Sequence, residues 1–108
     1  MKIEAVKNLG IAIEYIENPS KEVQLEAVKQ NGYAIEYIEN PSKEVQLAAV
    51  RENGYAIQYI KTPLEEVMYE AILHADDIIA LKYILNRKNI NWDKISDETK
   101  LLLEIKEF

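Results

Sequence analysis

Few side chains in this sequence have the types that do chemistry. The one histidine, His74, follows Glu70 by four residues and just precedes Asp76 and Asp77. Residues four apart share a helix face, so these four form a donor set that would suit weak binding of a divalent ion. They also read as an ordinary helix end, with acids opening the next helix where the dipole favours negative charge. The second reading is preferred, and no metal site is assigned. The serines are Ser20, Ser42 and Ser96. A nucleophilic triad would require one of them to meet His74 across the fold, and the first two sit beside helix starts. Cysteine is absent, which removes disulfides and thiolate metal sites. Gly10, Gly32 and Gly54 are spread along the chain, whereas phosphate-cradling loops cluster their glycines. Glu14 and Glu36 recur at equivalent positions, but an acid–base pair needs unlike surroundings to part its pKa values. No catalytic residue and no cofactor is expected, and the chain is read as not an enzyme.

One recurrent set remains. Tyr15, Tyr37, Tyr59 and Tyr83 hold one slot in four successive units, edged by Glu14, Glu17, Glu36 and Glu39. Tyrosine is large, stiff and carries a polar end, which favours it at interfaces. These eight residues are the candidate protein-binding set. The alternative is that the rings fill the seam between stacked helices.

The elements that must position them are set by a repeat. Residues 18–39 and 40–61 are one 22-residue unit written twice, with seventeen positions identical. A fixed period of this order marks a stacked repeat architecture. Each unit reads as two short helices. The apolar spacing of Val23, Leu25, Ala27 and Val28 predicts a helix over about 19–30. Asn18, Asn40 and Thr62 are expected N-caps, with prolines at the first helical position and Glu65 completing a capping box with Thr62. Gly32 is expected to stop the helix in the left-handed conformation. A two-turn helix from Tyr33 follows, packed through Ala34, Ile35 and Ile38. Small Ala27 and Ala34 let the pair approach closely.

Residues 1–17 form a diverged earlier copy, expected to begin the stack at Met1. Residues 62–85 form a looser fourth copy, with Asp76 or Asp77 capping its second helix and Ala80, Leu81, Tyr83 and Ile84 in the core slots. Residues 86–108 read as a C-terminal cap, with Trp92 beneath a helix that turns Leu101, Leu102, Ile105 and Phe108 to one face. The expected fold is all-α: a single-domain (1–108) helical-repeat solenoid of four short helix pairs plus a C-terminal capping helix, about nine helices in all.

The V-x-L-x-A-V-x-x-N-G-Y-A-I-x-Y-I core of the middle copies resembles short two-helix tandem repeats of unknown function found in viral and bacterial proteins. That resemblance implies a helical repeat fold and no activity. Residues 80–91 are also similar to the tail of an ankyrin repeat, although a 22-residue unit is too short for ankyrin.

The bulk numbers agree with one folded domain: 108 residues, 48% hydrophobic and 30% charged. A formal charge of -6 repels nucleic acid and anionic membrane and favours a partner with a basic surface. No apolar run reaches the roughly 20 residues of a membrane span, and the first residues do not read as a signal peptide. A cytoplasmic setting is expected. The function expected is a non-catalytic protein–protein interaction module. The alternative is a small acidic phage-type inhibitor, anti-CRISPR-like, that blocks a bacterial defence protein in the host cytoplasm. Self-association through the Met1 end is a further alternative.

Overall fold

A computed structural model describes residues 2–107, all-helical where regular, with no strand among them. The elements are α1 (Lys2–Asn8), η1 (Gly10–Tyr15), α2 (Lys21–Gln30), η2 (Gly32–Tyr37), α3 (Lys43–Glu52), η3 (Gly54–Tyr59), α4 (Glu65–His74), α5 (Ile78–Asn86), η4 (Trp92–Lys94) and α6 (Asp97–Lys106), where η is a 3-10 helix. They stack in two layers. In one, α1, α2, α3 and α4 pack in sequence, and α6 continues the row against α4. In the other, η1, η2 and η3 follow one another, and α5 packs on η3. The molecule measures 44 × 23 × 19 Å.

The core is a ladder of equivalent slots. Val6, Val28, Val50 and Ile72 are buried in the α layer, and Ile13, Ile35 and Ile57 in the η layer. Ala27, Ala49 and Ala71 have no exposed surface, and their carbonyls lie against the glycine of the preceding unit. The glycines do not have the expected role. None has a positive φ. Each opens a 3-10 helix, and a Cβ on Gly10, Gly32 or Gly54 would lie 2.4, 2.6 or 2.4 Å from the carbonyl oxygen of Ala27, Ala49 or Ala71. Glycine is there because one unit's turn meets the next unit's backbone. The Gly10 N–H donates to Gln30 Oε1 at 2.6 Å, and the Gly32 N–H donates to Glu52 one unit later.

Helix ends also differ from expectation. Ser20 and Ser42, not Asn18 and Asn40, cap α2 and α3, each Oγ accepting from the backbone of the third residue on. The asparagines take φ of 45° and 47° instead, a left-handed turn that asparagine tolerates better than other side chains. The prolines thus precede the cap. In the fourth unit Leu64 holds the cap position without a side-chain bond, and Thr62 forms no capping box. The helices stop at Gln30 and Glu52, with Asn31 and Asn53 ending each helix and capping the next through Oδ1. The short second helices are 3-10 in the first three units. Only α5 is α-helical, capped by Asp77.

Exposed ion pairs join neighbouring units on the outside of the α layer: Lys21 to Glu44 at 2.8 Å and Lys43 to Glu66 at 2.9 Å. Such pairs add little stability but repeat in register. The lysine slot becomes glutamate at Glu65, which turns to α6. Its carboxylate accepts from Ser96 N at 2.9 Å, Ser96 Oγ at 2.5 Å and Thr99 Oγ1 at 2.9 Å. Lys106 caps the other end of the contact, donating to the carbonyls of Ile72, Leu73 and Ala75. Within α6, Leu102 and Leu103 pack on the core and Thr99 is buried, while Leu101 and Ile105 face solvent. The expected single apolar face is therefore split, and Phe108 lies outside the described residues, as does Met1. Trp92 packs partly buried against the core. In α5 the buried residues are Ile78, Leu81 and Leu85, and Tyr83 is exposed.

The hydrogen bonds from Ser96 hold the Glu65 carboxyl below its ordinary value, with Thr99 adding to them. A depressed folded pKa gives stability that is present above the unfolded value, about 4.3, and is lost as pH falls through the folded one. Melting temperature should therefore drop on acidification below about pH 4.3 less steeply in Glu65→Gln than in the parent. Superimposable acid limbs would show that Glu65 does not hold α6.

Candidate interaction surface

The η layer and α5 place the tyrosine row. All four rings are on the surface, together with Glu14, Glu17, Glu36 and Glu39. The row is not uniform. Tyr15 and Tyr83 are 84% and 66% exposed, whereas Tyr37 and Tyr59 are 38% and 37% exposed. Seam packing accounts for part of this: the Tyr59 ring meets Tyr33 edge-on, with centroids 5.8 Å apart. Tyr55, by contrast, donates through its hydroxyl to the Asp77 carbonyl at 3.2 Å and accepts from the Asp77 N–H. Tyr59 thus shows part of its ring to a neighbour and part to solvent.

Each middle tyrosine feels the charge of a glutamate of the unit before it. Glu14, then Glu36, raise the Tyr37 phenol above its ordinary value. Burial, then Glu36 and Tyr33, do the same for Tyr59. Beside each ring runs a cleft between units. The first, about 460 Å³, lies among Ile16, Asn18, Pro19, Gln24 and Tyr37. The second, about 610 Å³, lies among Ile38, Asn40, Pro41, Gln46 and Tyr59. The linings are the same slots 22 residues apart. In both, the glutamine Nε2 donates to the proline carbonyl at 3.0 Å. The Gln46 amide oxygen is buried without a partner.

The charge of the row changes along the stack. The slot that holds Glu14 and Glu36 holds Gln58 next and then Lys82, and Lys61 follows Glu17 and Glu39. At Tyr83 the chain supplies its own cations. The Arg87 guanidinium sits 5.7 Å from the ring centroid, and Lys88 Nζ donates to the Gln58 carbonyl at 2.6 Å. Burial, then Arg87, lowers the pKa of Lys88.

The repeated core is known elsewhere. Residues 20–64 match a family model described as a domain of unknown function, DUF4116. The DUF4116 match takes in α2 to η3, the two near-identical units. No curated protein and no solved structure matches the chain.

The other candidate residues are engaged locally. His74 Nε2 lies 3.4 Å from Glu70, which also accepts from Arg51 at 3.2 Å. Asp77 caps α5, and Ser20 and Ser42 cap α2 and α3. Among the described residues no three His, Cys, Asp or Glu side chains are grouped to hold a metal ion. No helix of the described residues is long and apolar enough to cross a membrane.

Proposed function

We propose that the chain is a non-catalytic protein-interaction module whose binding face is the tyrosine row of the η layer. The observation that supports this reading is the surface exposure of Tyr15, Tyr37, Tyr59 and Tyr83 at one repeated slot, with clefts built from equivalent slots beside Tyr37 and Tyr59. A tyrosine used only as seam filler gains nothing from a solvent-facing ring, while stacked repeats offer extended surfaces of this kind to partners. The acidic edge of Glu14, Glu17, Glu36 and Glu39 selects a partner with basic groups. Because the same slots become Gln58, Lys61 and Lys82, the row fits a protein surface of mixed charge better than a polyanion mimic aimed at a nucleic-acid channel.

The test is affinity capture from a bacterial lysate with the parent and with Tyr37→Ala/Tyr59→Ala, the variant first shown by circular dichroism to keep its helix content. A dominant protein held by the parent, and held at least about tenfold less by the variant, is expected from the loss of two aromatic anchors. Equal capture by both would return the tyrosines to seam packing.

A further inference from the structure

The tyrosine row contains a worked example of the ligand it would take. At Tyr83 the guanidinium of Arg87, four residues on, lies 5.7 Å from the centroid of a largely exposed ring, with Lys88 bonded to the nearby Gln58 carbonyl. One unit and two units earlier, Tyr59 and Tyr37 offer the same ring with no guanidinium over it among the described contacts, and each has a glutamate where the last rung has Gln58. We infer that these two rungs, Glu14 with Tyr37 and Glu36 with Tyr59, bind an extended peptide segment carrying two arginines three residues apart. This deepens the interaction-module reading and rests on it.

The chemistry of each rung supports arginine. A guanidinium stacks on a tyrosine face while its N–H groups reach a carboxylate. At the second rung Glu36 and Tyr59 line the same cleft, so one side chain can meet both. The spacing comes from the stack. Packed helices lie about 8–10 Å apart, and the 44 Å long axis shared by five helical layers agrees with about 9 Å per unit. A polyproline II strand rises 3.1 Å per residue with three residues per turn. Its residues i and i+3 therefore point the same way at about 9 Å. A β-strand places same-face residues at about 6.6 Å or 13 Å, which misses the rungs. Polyproline II segments also dock on aromatic-lined grooves, with little ordering cost.

The experiment is a chemical-shift titration of the whole chain with three peptides of equal length and charge: PPRPPRPP, PPRPRPPP and PPRPPPRP. The three-residue spacing should bind tightest, shifting the amides around Tyr37 and Tyr59. The other two should bind about fivefold more weakly, since one arginine then loses its ring and its carboxylate. Glu14→Gln/Glu36→Gln, two exposed substitutions outside the core, should weaken all three peptides and narrow the gap between them, the rings alone keeping a residual preference for the three-residue spacing. Equal binding of the three by the parent, unchanged binding by the double variant, or no shift at the two rungs would each overturn the inference. If the peptides fail while capture of a partner still depends on Tyr37 and Tyr59, the arginine register falls and the interaction-module reading stands.

Discussion

Replacing Gly32 with alanine is expected to destabilise the protein by about 3 kcal/mol, the upper end of what overpacking costs. The melting temperature should fall by roughly 12–20 °C. The added Cβ would lie 2.6 Å from the Ala49 carbonyl oxygen, 2.7 Å from Glu52 Oε2 and 3.2 Å from Asn53 Cβ. The glutamate can swing away, but the carbonyl cannot. It accepts from Asn53 N at 2.9 Å in the last turn of α3, so relief requires the two units to move apart and uncover Ala27, Ala34 and Ala49. Gly32→Asn separates this account from a need for left-handed backbone. Asparagine tolerates positive φ, so it would partly rescue a glycine kept for its φ, whereas against a close approach it should do no better than alanine. Denaturant unfolding of the two variants decides the point, and an asparagine variant near parental stability would refute the close approach.

That glycine shows where sequence reasoning stops. The 22-residue identity made the unit, its helix pair and its buried slots legible, because apolar spacing within one unit is local information. Gly32 has two ordinary uses, a left-handed stop or a close contact. The choice depends on Ala49, which belongs to the next unit. The caps fail for a related reason. Asn18 and Ser20 stand two residues apart and both are good caps. The serine slot of the fourth copy holds Leu64, which cannot cap. In the fold α4 simply begins without a side-chain cap, held by buried Val67 and Met68. The six residues that each glycine opens are too few to choose between α and 3-10 geometry alone, and packing decides.

The candidate site was legible as a row and not as a surface. A shared slot tells which residues line up, so Tyr15, Tyr37, Tyr59 and Tyr83 could be grouped from the period. It does not tell which unlike slots meet. Tyr33 touches Tyr59 across 26 residues, and Glu14 acts on Tyr37 across 23. Those offsets follow from how one unit leans on the next. The clefts beside Gln24 and Gln46 follow from the same lean, whereas Arg87 meets Tyr83 locally, four residues on at the end of α5. The change from Glu14 and Glu36 to Gln58 and Lys82 was visible, but its meaning required knowing that the chain's own cations occupy the last rung.

The second large effect concerns how the units depend on each other. Ile57→Ala should cost about 3–4 kcal/mol, within the 2–5 kcal/mol range for truncating a buried isoleucine. Ile57 is fully buried in η3, between η2 on one side and α5 on the other, with α3 and α4 beneath. The cavity therefore opens in a layer supported from both sides, where collapse is least able to fill it. Ile13 is the same slot in η1 and is 1% exposed, but in this chain its layer has a described neighbour only on the η2 side. In a stack whose stability is a sum of unit and nearest-neighbour contributions, Ile13→Ala should loosen the first unit and leave the rest folded. Hydrogen exchange separates the two. Ile57→Ala should speed exchange of the most protected amides throughout α3, α4 and α5, and Ile13→Ala only those of α1 and η1. Equal, global acceleration by both variants would mean that the 108 residues unfold as one cooperative block and that the unit-by-unit description of their stability is wrong.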